Sequence, residues 1–274
     1  MRTLIVNADD FGLSASVNAG IVHAHVAGIV TSTTLLANGA AFVEAVALAR
    51  RHPTLGVGVH LDLVEGRPLS APATVGSLVD PDGAFVGSTP ALAARAVRGR
   101  LAYPELVAEA SAQLARVVDA GLRPTHVDTH QHAHCLPIVC AAVLEAAARF
   151  GIRRIRFPRE RNLDLPGRHT RSRVRSALTG LLATHGRGSL ARHAARTTDA
   201  FIGPQLMGAF EPETLARVVD ALPPGATELM CHPGLESEPG ALIQRGRELA
   251  ALTAPLVRRV LALAGVTLAS FAAL

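Results

Sequence analysis

Short, nearly continuous apolar runs alternate with longer helical stretches along most of this chain, and several of the runs stop on a carboxylate or an imidazole. Strands that are apolar throughout, rather than at every second residue, suit a parallel sheet with helices packed on its faces. The pattern predicts strands near Thr3–Ala8, Val30–Leu36, Val57–Leu61, Thr125–Thr129, Ile152–Phe157, Ala200–Ile202, Glu228–Cys231 and Val266–Phe271. Between them, helices are expected near Ser14–Ala27, Ala40–Arg51, Pro104–Ala120, Leu136–Phe150, Arg173–Arg196, Pro212–Ala221 and Leu242–Ala264. About eight such units are what a (β/α) barrel requires. The expected fold class is therefore α/β: a deformed, TIM-like (β/α) barrel of about seven to eight parallel strands, forming one domain over residues 1–274.

Two stretches break the rhythm. Residues 65–102 carry Pro68, Pro72, Pro81 and Pro90 with Gly66, Gly76, Gly83 and Gly87, and read as a long loop: a lid, a substrate wall or a plain surface excursion. Residues 160–198 read as an arginine-rich insertion.

A chain of 274 residues that is 49% hydrophobic can bury a large core. The apolar run after Arg2 is broken at once by Asp9 and Asp10, so it is neither a signal peptide nor a membrane span. Cys135, Cys140 and Cys231 form no Cys-x-x-Cys pair and suit a reducing compartment. A soluble, cytoplasmic protein is the expectation. A net charge of +5 would raise nucleic acid as a partner, but one tyrosine and no tryptophan leave few surfaces on which bases could stack, and no nucleic acid is expected.

In a parallel α/β barrel, chemistry collects where strands end. Leu4-Ile5-Val6 leads into Asn7-Ala8-Asp9-Asp10-Phe11-Gly12, a pair of carboxylates at a strand end; the alternative is that one of them merely caps the next helix. Gly56-Val57-Gly58-Val59-His60 and Thr125-His126-Val127-Asp128-Thr129-His130 end the same way. A carboxylate with two imidazoles is a donor set for a divalent ion that leaves positions open for water and substrate. Alternation along the strand puts His126, Asp128 and His130 on one face. The last of them, His130, is the candidate ligand, and Asp128 is a candidate to orient an imidazole. His132 and His134 are expected to line the cleft or cap the following helix, with direct metal ligation the lesser alternative, and His132 is a weak substrate-binding candidate. Glu228-Leu229-Met230-Cys231-His232-Pro233-Gly234 brings a further strand-end imidazole, suited to donate a proton near neutral pH, although a structural histidine before a Pro-Gly turn would look the same. Arg156, at another strand end, could pair with Asp9 or hold a substrate oxygen.

Taken together, Asn7–Gly12, Thr31–Thr34, Gly58–Leu61, Pro124–His134, Glu228–Gly234 and the run Glu248–Thr253 resemble the YdjC-like carbohydrate deacetylases, which include chitooligosaccharide deacetylase. The resemblance implies a deformed (β/α) barrel that removes acetyl groups from N-acetylated amino sugars, with one divalent metal ion, Mg2+ or Zn2+, on Asp10, His60 and His130. By similarity to other metal-dependent polysaccharide deacetylases, Asp9 is the base that activates water and His232 the general acid that protonates the leaving amine. It leaves room for a homodimer.

Some relatives in that family are associated with hopanoid lipid biosynthesis, so a sugar carried on a membrane lipid is an alternative substrate. The arginines between Arg168 and Arg196, with Val174, Leu178, Leu181, Leu182 and Leu190 among them, fit a peripheral contact with the inner membrane face or, equally, an ordinary solvated surface. The remaining alternatives are a metal-dependent phosphoesterase, whose arginines would hold phosphate, and a non-catalytic sugar-binding protein.

Overall fold

Strand β1 (Arg2–Phe11) runs through the middle of a wholly parallel sheet and carries the first sequence signature on its C-terminal end. The computed structural model describes residues 1–160, 187–236 and 243–274. The sheet comprises β1, β2 (Ser32–Leu36), β3 (Gly56–Leu61), β4 (Val127–Thr129), β5 (Ala200–Ile202), β6 (Gly225–Cys231) and β7 (Val266–Leu268). Their order is β4-β3-β2-β1-β6-β5, with β7 paired to the start of β1. The sheet is curled, and its two ends approach one another through residues 154–160. Isolated parallel bridges link Ile155 to Val127 on one side and Glu160 to Phe201 on the other. The expected strand Ile152–Phe157 is thus an extended tie rather than a regular strand, because each neighbour is met over a residue or two only. The fold is the anticipated α/β deformed barrel.

The helices are α1 (Ala15–Val26), α2 (Phe42–Arg51), α3 (Thr89–Val97), α4 (Tyr103–Asp119), α5 (Pro137–Arg149), α6 (Arg187–Arg192), α7 (Pro212–Asp220), α8 (Arg245–Thr253) and α9 (Pro255–Leu263). They pack on the sheet, and one apolar cluster runs from Leu4 through Leu114, Val143 and Leu229 to Leu261. The expected helix Leu242–Ala264 is two helices. Ala254 is held extended (φ −64°, ψ 131°) ahead of Pro255, whose ring disfavours a helical residue before it. Of the expected helix Arg173–Arg196, only α6 falls within the described residues, and the arginines at 168–186 lie outside them.

Residues 65–102 are tied down at many points. The Glu109 carboxylate, fully buried on α4, accepts the backbone N–H groups of Leu69 and Ser70 at 3.0 and 2.9 Å, and Glu105 accepts that of Ser77 at 2.7 Å. The same stretch contains α3, which its prolines had hidden: Pro90 sits in the first turn, where a missing N–H costs nothing, and Ser88 caps the helix by accepting from Ala91 N. Glu65, Ser88 and Thr89 line the cleft described below, so this stretch forms one of its walls.

Candidate metal and catalytic centre

A strand alternates its side chains, so adjacent aspartates should point to opposite faces of the sheet. Here the β1–β2 register shifts between Ala8 and Phe11, and Asp10 takes a left-handed conformation (φ 70°). The irregularity turns the chain so that Asp9 and Asp10 both border one cleft of about 1360 Å³ at the C-terminal end of the strands. A non-glycine residue in that conformation costs on the order of 1–3 kcal/mol and persists only where the surroundings hold it. Neither carboxylate is spent on a helix start, since Ser14 caps α1 by accepting from Val17 N at 3.2 Å. Gly58 clears space on the same face: a Cβ there would lie 2.5 Å from the His126 ring.

Asp10, His60 and His130 converge. Asp10 Oδ1 stands 3.5 Å from His60 Nε2 and 3.4 Å from His130 Nδ1, and the two ring nitrogens are 3.2 Å apart. Each imidazole is fixed through its other nitrogen. His60 Nδ1 lies 2.7 Å from Asp128 Oδ1, and His130 Nε2 lies 3.3 Å from Glu65 Oε2. A carboxylate on the far nitrogen holds the proton there and turns the lone pair of the near one inward, which is how metal-binding histidines are prepared. Asp10 Oδ1 is buried without a hydrogen bond of acceptable geometry, while Oδ2 accepts from Arg245 Nη2 at 2.7 Å. Those three inward atoms fit a divalent cation.

The electrostatics agree with that fit. Burial opposes charge on Asp10, but the imidazoles of His130, His232 and His60 hold its carboxyl well below the usual carboxylate range. Burial likewise disfavours a cationic His130, yet Asp10 and Glu65 push it up to about 11. The site therefore attracts positive charge, by protonation when no ion is present, and a bound cation would take over that role.

Beneath this cluster lies a second. Arg156 is fully buried, with Nη1 and Nη2 each 2.6 Å from one Asp9 oxygen and Nε 2.7 Å from Glu228 Oε1. Its Nη1 also meets Asp128 Oδ2 at 2.6 Å. Burial would lower the guanidinium pKa, but the three surrounding carboxylates raise it well above its ordinary value. Glu228 goes the other way: burial, only partly offset by Arg156, pushes it up to about 7. Asn7 Nδ2 donates to Asp9 Oδ1 at 2.9 Å, and Thr34 donates to Asp128 Oδ2 at 3.2 Å. His126 stacks on Phe271 and donates through Nε2 to Asn7 Oδ1 at 3.0 Å; burial drops its pKa to about 3, so it is neutral.

His232 follows β6 and borders the cleft. Its backbone N–H donates to Glu248 Oε2 at 2.5 Å, and its Nδ1 lies 3.8 Å from Glu248 Oε1. Burial disfavours the imidazolium, but Glu248 outweighs it and raises the His232 pKa above 6.5. The turn after His232 presses against α1 so closely that a Cβ on Gly20 would lie 2.3 Å from Gly234 Cα.

Of the candidates from the sequence, Asp9, Asp10, His60, His130, His132 and His232 line the cleft, whereas Arg156, Asp128, His126 and His134 do not, His134 being held by Thr129 Oγ1 at 2.6 Å from its Nδ1. His132 reaches it in a left-handed conformation (φ 55°) and packs edge-on against Phe201. Arg156 and Asp128 are placed beneath it with no exposed surface. Sequence reading missed Glu65, Glu228, Glu248 and Arg245 as members of the site. Glu228 and Glu248 lay inside quoted segments, but Glu65 and Arg245 sat in a loop and at a helix start with no pattern to single them out.

A family model described as YdjC-like protein matches residues 3–263. The chain is 39% identical to a carbohydrate deacetylase of Mus musculus over 97% of its own length and 92% of the relative's. It is 37% identical to a carbohydrate deacetylase of Geobacillus stearothermophilus, covering 98% and 97% of the two chains. A chitooligosaccharide deacetylase of Serratia marcescens is 34% identical, with 98% of each chain covered. Among solved structures, an Enterococcus faecalis V583 protein assigned to cellobiose-phosphate cleavage superposes with a TM-score of 0.79 at 29% identity, over 99% of this chain and 98% of that one. The extent of the family match and of these similarities, on a fold and a site already assembled from the residues, has one reading: the chain belongs to the YdjC-like family.

Proposed function

We propose that this protein is a metal-dependent carbohydrate N-deacetylase that hydrolyses the acetamide of an N-acetylated amino sugar to acetate and a free amine. The observation that carries the reading is the convergence of Asp10 Oδ1, His60 Nε2 and His130 Nδ1 beside a separately held carboxylate, Asp9. Relatives over nearly the whole chain are carbohydrate deacetylases, which supports the same chemistry here.

Asp10, His60 and His130 would hold one divalent ion, Mg2+ or Zn2+. Such an ion supplies Lewis acidity toward the acetamide carbonyl and makes water a better nucleophile. Asp9 takes the proton from the attacking water. Its Oδ1 already accepts from Arg156 and Asn7, and its Oδ2 accepts from Arg156 alone, so a lone pair on Oδ2 remains for that proton. Arg156 thus positions the base rather than the substrate, gripping both oxygens from below. As the new C–O bond forms and the C–N bond breaks, the departing nitrogen needs a proton, because an amine anion is a poor leaving group. His232, whose pKa Glu248 raises, provides it. Asp128 orients His60, and His132 belongs to the wall that receives the sugar.

The wide cleft suits an oligosaccharide end or the head of a glycolipid, including a hopanoid-linked N-acetylglucosamine. Acetate release should be measured from a panel of both, with metal-replete wild type beside Asp9→Asn and His130→Ala. Release by wild type with loss of about 10²–10⁴-fold in each variant is the expected result. No acetate from any member despite bound metal would overturn the reading. Phosphate release from model esters in its place would turn it toward a phosphoesterase.

A further inference from the structure

Arg245 is a residue of the cleft that no step above has used. It opens α8, borders the cleft, and reaches across to Asp10, where Nη2 meets Oδ2 at 2.7 Å. Its other terminal nitrogen, Nη1, is buried and has no hydrogen-bond partner among the described residues. A buried guanidinium N–H left unmade is costly, and a native site usually supplies its partner from water or ligand. The side chain is 17% exposed, so it is well packed: its Cδ and Cβ crowd Gly234, where an added Cβ would meet them at 3.0 and 3.1 Å. The packing fixes where the fork points. One tine engages the carboxylate that offers Oδ1 to the cation site, and the other is the unpartnered donor of a side chain that borders the same cleft.

We propose that Arg245 is a substrate-binding and positioning residue: Nη1 donates to the acyl oxygen of the bound acetamide and then to the carboxylate of the acetate product, while Nη2 keeps Asp10 offering Oδ1 alone. This rests on the deacetylase reading of the cleft. The chemistry of the two tasks is the same, because a planar fork pairs with two oxygens at once, and here the oxygens belong to different partners. As water adds to the acyl carbon, charge gathers on the acyl oxygen. A donor already held beside the cation site gains strength as that charge grows. After the C–N bond breaks, the acyl group leaves as acetate, an anion matched to the free tine.

The test uses the metal-replete full chain as wild type, Arg245→Lys and Arg245→Ala. Three quantities are read: acetate affinity from the broadening of a ¹³C-acetate signal, kcat and KM for acetate release from N-acetylchitooligosaccharides, and metal affinity by calorimetry. Arg245→Ala is expected to weaken acetate binding about tenfold and to lower kcat about 10²–10³-fold with a smaller change in KM, as loss of an oxyanion donor does. Metal affinity is expected to fall in Arg245→Ala and to be largely restored in Arg245→Lys, whose single ammonium can hold Asp10 but not fork. Unchanged acetate affinity in both variants with metal bound overturns the proposal. Failure of the deacetylase reading is separable: wild type would then bind acetate through Arg245, yet release none from any sugar.

Discussion

Among the described residues two groups of metal-ligand type share His60, Asp10-His60-His130 at the cleft and Asp9-His60-Asp128 reaching beneath it, and they differ in what already neutralises them. Both hold carboxylate and imidazole, and both have atoms within 4.8 Å of one another. The second already contains its cation: the Arg156 guanidinium lies 2.6 Å from both aspartates. In the first group the nearest guanidinium takes only the outer oxygen of Asp10 and leaves Oδ1 free. The donor set alone does not make a metal site; what decides is whether the charge is already balanced from within the protein. The same division explains two adjacent aspartates with different tasks. Asp10 stands among imidazoles, whereas Asp9 has both of its oxygens held by a buried guanidinium.

The largest effect should come from removing the inner cation. Arg156→Met leaves Asp9, Asp128 and Glu228 facing one another in the core, and should cost about 3–5 kcal/mol in chemical denaturation, as breaking a buried ion cluster does. A loss below about 1 kcal/mol would mean that the two groups do not differ as described. Metal titration sharpens the comparison next. Asp10→Asn should weaken divalent-ion binding by more than about 100-fold, whereas Asp128→Asn, which orients His60 and pairs with Arg156 but is not a ligand, should weaken it about 10–100-fold. Equal losses would erase the distinction between holding the ion and holding its ligand.

A smaller effect is expected in the pH profile of kcat. In the proposed role His232 must carry a proton, and Glu248 raises its pKa above 6.5, so activity is expected to fall as pH rises through that raised value. In Glu248→Gln the alkaline limb should move to lower pH; an unmoved limb would assign it to another group. The smallest change concerns Glu228, whose pKa in the fold, about 7, exceeds its ordinary 4.5. A folded state that binds this proton more tightly than the unfolded chain loses stability as pH rises between those values. Glu228→Gln should therefore flatten the stability profile over that range. At pH 8 it should raise Tm by about 2–4 °C, equivalent to on the order of 1 kcal/mol. A lower Tm at pH 8 would show that Arg156 needs all three carboxylates ionised.

Much of the barrel was legible because its cause is local. Continuous apolar runs such as Leu4-Ile5-Val6 and Val57-Gly58-Val59 can be satisfied only between layers of helices. Where the pattern misled, a local signal had a second meaning. Pro90 read as a loop residue yet starts α3, and the apolar stretch around Pro255 read through a break between two helices. Asp9, Asp10, His60, His130 and His232 were legible as a set because each closes a strand, and strand ends in a parallel barrel share one rim. Glu65 and Arg245 were not, because their meaning depends on partners 65 and 235 positions away, His130 and Asp10.

The amino-acid sequence by itself determined the parallel architecture, the rim on which polar groups collect and the family to which the chain belongs. Only the tertiary structure decided which carboxylate stands among imidazoles and which is neutralised from below. Alternation along β1 would have sent Asp9 and Asp10 to opposite faces; the irregularity at Asp10 brings them to one cleft, and Arg156, arriving from 147 residues away, makes them unequal. Hydrophobic periodicity is a property of neighbours in the chain, whereas the charge state of a buried group depends on whatever the fold places beside it.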